Sequence, residues 1–163
     1  MTNRFLLSIT VVMIVLLSMP ARAQAQAAQS NASPLVPRGD VFAGVAFWDE
    51  EETNLTGFHL TGTWRPSKHV GIVGDMAVYG DYTSVMGGLR IQSSGRHSVF
   101  VQVLAGKAPL SFFAIQPGIG FDVRLSRRAA VRAGFDLKIS GDDGSTYVGT
   151  RLSVGLVILL GQQ

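Results

Sequence analysis

An eight-stranded antiparallel β-barrel, apolar outside and polar inside, is the fold class predicted by this chain of 163 residues. Three observations predict it: a long alternating stretch near the C-terminus, seven similar stretches before it, and apolar faces without charge. Tyr147 to Leu159 sets the pattern. Val148, Thr150, Leu152, Val154, Leu156 and Ile158 share one face, while Tyr147, Gly149, Arg151, Ser153, Gly155 and Val157 share the other. Alternation of period two is a strand signal. The polar face holds small residues around a single Arg. A water-facing strand would fill that face with Lys, Glu and Thr. Repeated Gly suits the cramped interior of a small closed barrel.

The length suits one domain. Cys is absent, so no disulfide framework or thiolate metal site exists. A net charge of +3 with no basic cluster gives no nucleic-acid footprint. Residues 1–23 read as a signal peptide. Arg4 supplies the positive start, Phe5 to Met19 is an apolar or small-residue run, and Pro20-Ala21-Arg22-Ala23 is a cleavage site of the A-x-A type. An uncleaved anchor is the alternative, but a spanning helix needs about 20 apolar residues. The mature chain then begins at Gln24, with Ala25 as a second candidate site. Residues 24–40 lack periodicity and read as a flexible leader. Two short motifs there, Leu35-Val-Pro-Arg-Gly39 and Arg38-Gly39-Asp40, resemble a protease site and an adhesion tripeptide. Short motifs recur by chance, and both are read that way.

The barrel is expected over residues 41–161. Val41 to Trp48 is apolar on both faces, and Asp49-Glu50-Glu51-Glu52 follows as an acidic loop. Asn54 to Trp64 sets Phe58, Leu60 and Trp64 against His59, Thr61 and Thr63. Val70 to Tyr79 carries Asp75 opposite Val70, Ile72, Met76 and Val78. Ser84 to Ile91 opposes Val85, Leu89 and Ile91 to Met86, Gly88 and Arg90. Ser98 to Gly106 opposes Val99, Val101 and Val103 to Phe100, Gln102 and Leu104. Phe112 to Leu125 puts Gln116, Gly118, Gly120, Asp122 and Arg124 inside, with a bulge expected at Pro117, which cannot donate to a ladder. Ala129 to Lys138 puts Arg132, Gly134, Asp136 and Lys138 inside. Gly-Asp-Asp-Gly at 141–144 then turns the chain into the last strand.

From the second strand onward no apolar face carries a charge. A soluble sandwich would show a charge-rich polar face instead. Polar-inside, apolar-outside segments of about 10 residues match a transmembrane β-barrel of the outer membrane. The turns also sort by sign. Those after the second, fourth and sixth strands hold Arg65, Lys68, Arg96, Arg127 and Arg128. Those after the first, third and seventh hold Asp49, Glu50, Glu51, Glu52, Asp81, Asp142 and Asp143. The acidic set is expected to be extracellular and the basic set periplasmic. Trp48, Trp64 and Tyr79 lie near strand ends, where aromatic girdles belong.

On these residues the chain resembles the small eight-stranded outer-membrane barrels, the group of the OmpA-type transmembrane domain and the opacity-type proteins. The most telling match is Gly74-Asp75, the run Gly118-Ile-Gly-Phe-Asp-Val-Arg-Leu-Ser126, and Arg132 with Asp136. The resemblance implies an up-and-down meander in the outer membrane of a Gram-negative cell. It also implies the barrel-assembly machinery and outer-membrane lipid as partners. The family's last strand usually closes on Phe or Trp, and Leu159-Leu160-Gly161-Gln162-Gln163 departs from that pattern.

No chemistry stands out. Some small barrels modify lipid through a His/Ser/acid array, but His59 faces inward, while His69 and His97-Ser98 lie at turns with no carboxylate beside them. No His/Asp/Glu set has metal-ligand spacing, and the acidic loop lacks an EF-hand ligand series. Neither catalytic residues nor cofactors are therefore expected. The interior carboxylates carry the sharpest expectation. A buried charge is costly unless paired, and counting from each turn sets Asp75 opposite Arg90, Asp122 opposite Arg132, and Asp136 opposite or one step from Arg151. Separate hydration of these groups in a wet lumen is the alternative. The expected role is that of a monomeric structural or surface-interaction barrel, filled by side chains and an Asp/Arg network. A small-molecule passage or lipid-binding barrel is the alternative, with a lipid-modifying enzyme behind it. No surface ligand is legible.

Overall fold

The computed structural model describes residues 37–50, 53–142 and 145–162. Eight strands form a closed barrel in sequence order: β1 (Pro37–Glu50), β2 (Thr53–Trp64), β3 (Val70–Tyr79), β4 (Tyr82–Gln92), β5 (His97–Ala108), β6 (Ser111–Arg124), β7 (Ala129–Asp142) and β8 (Ser145–Gln162). Every neighbouring pair is antiparallel, and β1 closes the cylinder against β8, with Val45 opposite Val154. Closure leaves no sheet edge, so the backbone is satisfied without water, as a lipid setting demands. The expected signal peptide at 1–23 and most of the leader lie outside the described residues.

Alternation decides which side chains go where. Phe42, Ala46, Trp48, Tyr79, Met86, Phe100 and Leu104 are buried inside. Phe58, Ile72, Val85, Leu89, Ile91, Val101 and Leu156 stand exposed outside. The apolar groups on view far exceed what a water-soluble monomer shows in one patch.

Four expectations need correction. First, β1 starts at Pro37 and reaches Glu50, so Asp40 is not leader and Asp49-Glu50 is not loop. Its ends pair with Gln162 and Thr53, because backbone pairing continues past the apolar run that marks the strand in sequence. Asp40 is only 1% exposed, which excludes it as part of a displayed adhesion tripeptide. Second, the β3–β4 turn is Gly80-Asp81, with Tyr79 opposite Tyr82. Gly80 takes φ 59°, the left-handed conformation that a two-residue hairpin needs and glycine accepts freely. This register sets Asp75 opposite Met86, and Arg90 opposite Gly71. Third, the β6–β7 register is the same on both sides of Pro117, so no residue is inserted there. The irregularity falls between Gly106 and Ala108 of β5, beside the turn where Leu110 adopts φ 60°. Fourth, Trp48 and Tyr79 are 1% exposed and point inward, stacked edge to face at 5.9 Å. Only Trp64 of the expected girdle faces outward, at 61% exposure.

The two ends of the barrel differ. At the end remote from the termini, Tyr79 turns to Tyr82 and Ala108 to Ser111, two-residue connections. At the terminus end the chain takes longer paths, from Trp64 to Val70, from Gln92 to His97 and from Arg124 to Ala129.

Candidate functional site: the lumen network

Among the described residues, five carboxylates and five cations are buried inside: Asp40, Glu50, Asp75, Asp122 and Asp136 against Arg65, Arg90, Arg132, Lys138 and Arg151. Their formal charges cancel. A wall surrounded by lipid leaves such groups little bulk water, so each must find partners within the barrel.

Near the terminus end, Arg132 forks onto Asp122, Nε to Oδ1 at 2.7 Å and Nη2 to Oδ2 at 2.9 Å. This is the two-bond geometry that suits a guanidinium and a carboxylate. Its Nη1 also donates to Asp40 Oδ1 at 3.0 Å. Arg65 pairs with the other oxygen of Asp40 and donates to Gln92 Oε1 at 2.6 Å. Gln92 in turn donates to Asp122 Oδ2 at 2.8 Å. Arg65 follows β2, and its own backbone N–H bonds to the Arg38 carbonyl at 2.7 Å, which fixes it under the mouth.

At mid-barrel Arg151 is completely buried and serves two carboxylates. Its Nη1 donates to Asp75 Oδ1 at 2.7 Å, and its Nε to Asp136 Oδ2 at 3.0 Å. With its amide turned so that the oxygen faces Arg151, Gln116 accepts from Nε and Nη2 at 2.9 Å. His59 Nε2 lies 2.6 Å from Asp75 Oδ2, and Thr61 bonds both. Phe42 covers the His59 ring edge-on at 5.0 Å.

Gln102 joins the two layers. Its Oε1 accepts from Arg90 Nη2 at 2.7 Å, while its Nε2 donates to Asp136 Oδ1 at 2.8 Å. Arg90 also donates to Thr63 and lies 4.2 Å over the Phe100 ring, while the Asp40 carboxylate stands 4.0 Å away. At the remote end, Lys138 Nζ bonds both Glu50 oxygens at 2.7 Å and the Pro109 carbonyl at 3.0 Å. Trp48 Nε1 donates to Glu50 Oε2 at 3.1 Å.

Of the expected partnerships, Asp122 with Arg132 and Asp136 with Arg151 are directly opposite in register and bonded. The pairing of Asp75 with Arg90 is not formed, because the β3–β4 turn lies earlier than the count assumed. Asp75 instead reaches across the barrel to Arg151. The sequence reading missed Asp40, Glu50, Arg65 and Lys138 as partners. Face parity with Phe42 and Trp48 was the available signal for the first two. Among the described residues, no group of three or more His, Asp or Glu side chains could hold a metal ion.

No protein-family model matches the sequence, and no curated protein is similar to it at a significant level. Solved structures are similar in fold. Neisserial surface protein A superposes with a TM-score of 0.51 at 13% identity, covering 75% of this chain and 97% of that one. Ail, the attachment invasion locus protein of Yersinia pestis, gives 0.51 at 14% identity, covering 74% and 98%. The closed barrel and these likenesses agree: the chain has the fold of the small eight-stranded outer-membrane barrels, with an exterior of exposed apolar side chains.

Proposed function

We propose that this chain is a bacterial outer-membrane barrel with a structural or surface-interaction role and no catalytic step. The observation that supports this reading most is the filled, charge-balanced lumen inside an apolar wall. Trp48, Tyr79, Met86, Phe100 and Leu104 occupy the bore together with the ion network, as side chains can fill an eight-stranded barrel. The acidic remote end, with Asp81 exposed, faces the cell exterior, and the basic end faces the periplasm. Two-residue connections at the remote end offer little loop to a partner, so support of the envelope is favoured over ligand capture by loops. The chain inserts as a monomer, through the barrel-assembly machinery, into outer-membrane lipid.

Membrane fractionation with N-terminal sequencing tests the placement. The expected result is an outer-membrane protein whose mature chain begins near Gln24. Recovery as a soluble periplasmic protein would overturn it. Deletion of the gene, scored by detergent sensitivity of the envelope, tests the structural role.

A further inference from the structure

We propose that an open cleft at the remote end, between the β3–β4 and β5–β6 turns, binds a phosphoethanolamine group carried by a membrane lipid. This rests on the membrane-barrel reading and adds a ligand site to it. The cleft has a volume of about 340 Å³, and Asp81, Tyr82, Lys107, Pro109, Leu110 and Phe112 line it. Clefts that hold small molecules start at about 300 Å³.

The walls are set before any ligand arrives. The Pro109 carbonyl accepts from Lys138 Nζ at 3.0 Å, and the Lys107 carbonyl accepts from the Ser84 hydroxyl at 3.2 Å. Next to Pro109, Leu110 takes φ 60°, a left-handed conformation uncommon outside glycine. Such outliers persist where the surroundings over-determine them, and they gather at ligand clamps. Phe112 is 93% exposed and Leu110 50%, so apolar surface stands open at the cleft.

Charge and position select the occupant. Asp81 and Lys107 are exposed, opposite in sign, and come from the two sides of the cleft. A group carrying both signs answers both residues, whereas a purely anionic group would meet Asp81 and a purely cationic one Lys107. Phosphate suits lysine, which binds it as a point charge. A primary ammonium donates hydrogen bonds to the Asp81 carboxylate, and a quaternary one has no N–H to donate. The outer wall supplies the place for a lipid chain. Val99, Val101 and Val103 precede Lys107 on the outward face of β5, and outward Val85 is opposite Lys107 in register. A tail held by its headgroup in the cleft lies along these side chains, which free phosphoethanolamine would leave uncovered. The group can hang from diacylglycerol or from the sugar of lipid A.

The test uses the mature chain refolded into phosphatidylcholine vesicles doped equally with phosphatidylethanolamine and phosphatidylglycerol. A second set carries lipid A with and without a phosphoethanolamine group. Lipids retained by the extracted barrel are counted by native mass spectrometry. Wild type is expected to retain the phosphoethanolamine lipid several-fold over its competitors. Preference in one set alone supports the site and names the carrier. Asp81→Asn and Lys107→Gln, both exposed positions, should each insert equally yet lose the preference, and Lys107→Arg should keep it. Equal retention of all lipids, or an unchanged preference in the Asp81→Asn, Lys107→Gln double variant, overturns the proposal. Retention of phosphatidylglycerol above phosphatidylethanolamine also overturns it, since Asp81 would then take no part. So does displacement of the lipid by free phosphoethanolamine at equal concentration, which would deny the tail any role. Failure to insert into any vesicle, read by protease protection, overturns the membrane reading itself, and the cleft assignment with it.

Discussion

Arg132 holds Asp122 through two hydrogen bonds, and its remaining amino group reaches Asp40 on β1 at 3.0 Å. One guanidinium therefore ties β6, β7 and β1 together across the bore. Asp122→Asn leaves Arg132 with half its counter-charge, and breaking a buried pair costs about 3–5 kcal/mol. The expected outcome is a lower urea midpoint for the vesicle-inserted barrel. Swapping the two charges should recover only part of the loss, because a carboxylate at position 132 would face Asp40. Full recovery in the double swap would show that Asp40 does not share this site.

Arg151 and Arg90 provide a ranking. Arg151 answers Asp75 and Asp136 directly, while Arg90 is held by Gln102, Thr63 and the face of Phe100. Arg151→Met strands two buried carboxylates and should cost at least about 3–5 kcal/mol. Arg90→Met removes hydrogen bonds worth about 1 kcal/mol each, leaves no directly bonded carboxylate behind, and relieves repulsion from Arg65 and Arg132. Parallel urea titrations should place Arg151→Met well below Arg90→Met. Equal losses would mean that Arg90 is the true partner of an interior carboxylate.

Conductance follows from packing. Eight strands enclose a bore that side chains can fill, and Trp48, Tyr79, Phe42, Leu104 and Arg151 are almost fully buried in it. Planar-bilayer recordings of the purified protein should show no steady, porin-sized current.

What the sequence revealed, and what it hid, follows the physics of register. The β6–β7 register is symmetric about Arg127, the middle of the polar run Ser126-Arg127-Arg128, so counting from that residue puts Asp122 opposite Arg132. The Asp75 count fails because the two-residue turn Gly80-Asp81 lies earlier than a pairing with Arg90 requires. Period two says which face a residue occupies, but nothing about which strands meet across a closed barrel. Asp75 and Arg151 are 76 residues apart, and only closure of β1 on β8 brings them together. Asp40 and Glu50 were hidden for another reason. They lie at the ends of β1, where polar neighbours imitate a leader and a loop.

The remote end offers the last prediction. Lys138 on β7 bonds both oxygens of Glu50 on β1 and the carbonyl of Pro109 in the β5–β6 connection. Its ammonium also lies 5.4 Å over the Trp48 ring, whose N–H donates to the same Glu50. Lysine thus fastens three separate parts of the rim around a buried indole. Lys138→Met keeps much of the apolar stem but leaves Glu50 buried with only the Trp48 N–H, a loss of about 3–5 kcal/mol if Glu50 stays ionised. The cheaper course is for Glu50 to move toward water, and that movement would take the hydrogen bond from Trp48 and admit solvent to the ring. Since Trp48 and Trp64 are the only tryptophans, Trp64→Phe makes the emission a report on Trp48 alone. In that background Lys138→Met should shift the emission to longer wavelength and increase quenching by a water-soluble quencher. Lys138→Arg, which keeps the charge, should shift it less. An unchanged spectrum in Lys138→Met would mean that apolar packing against Tyr79, rather than the Lys138–Glu50 pair, keeps water from Trp48.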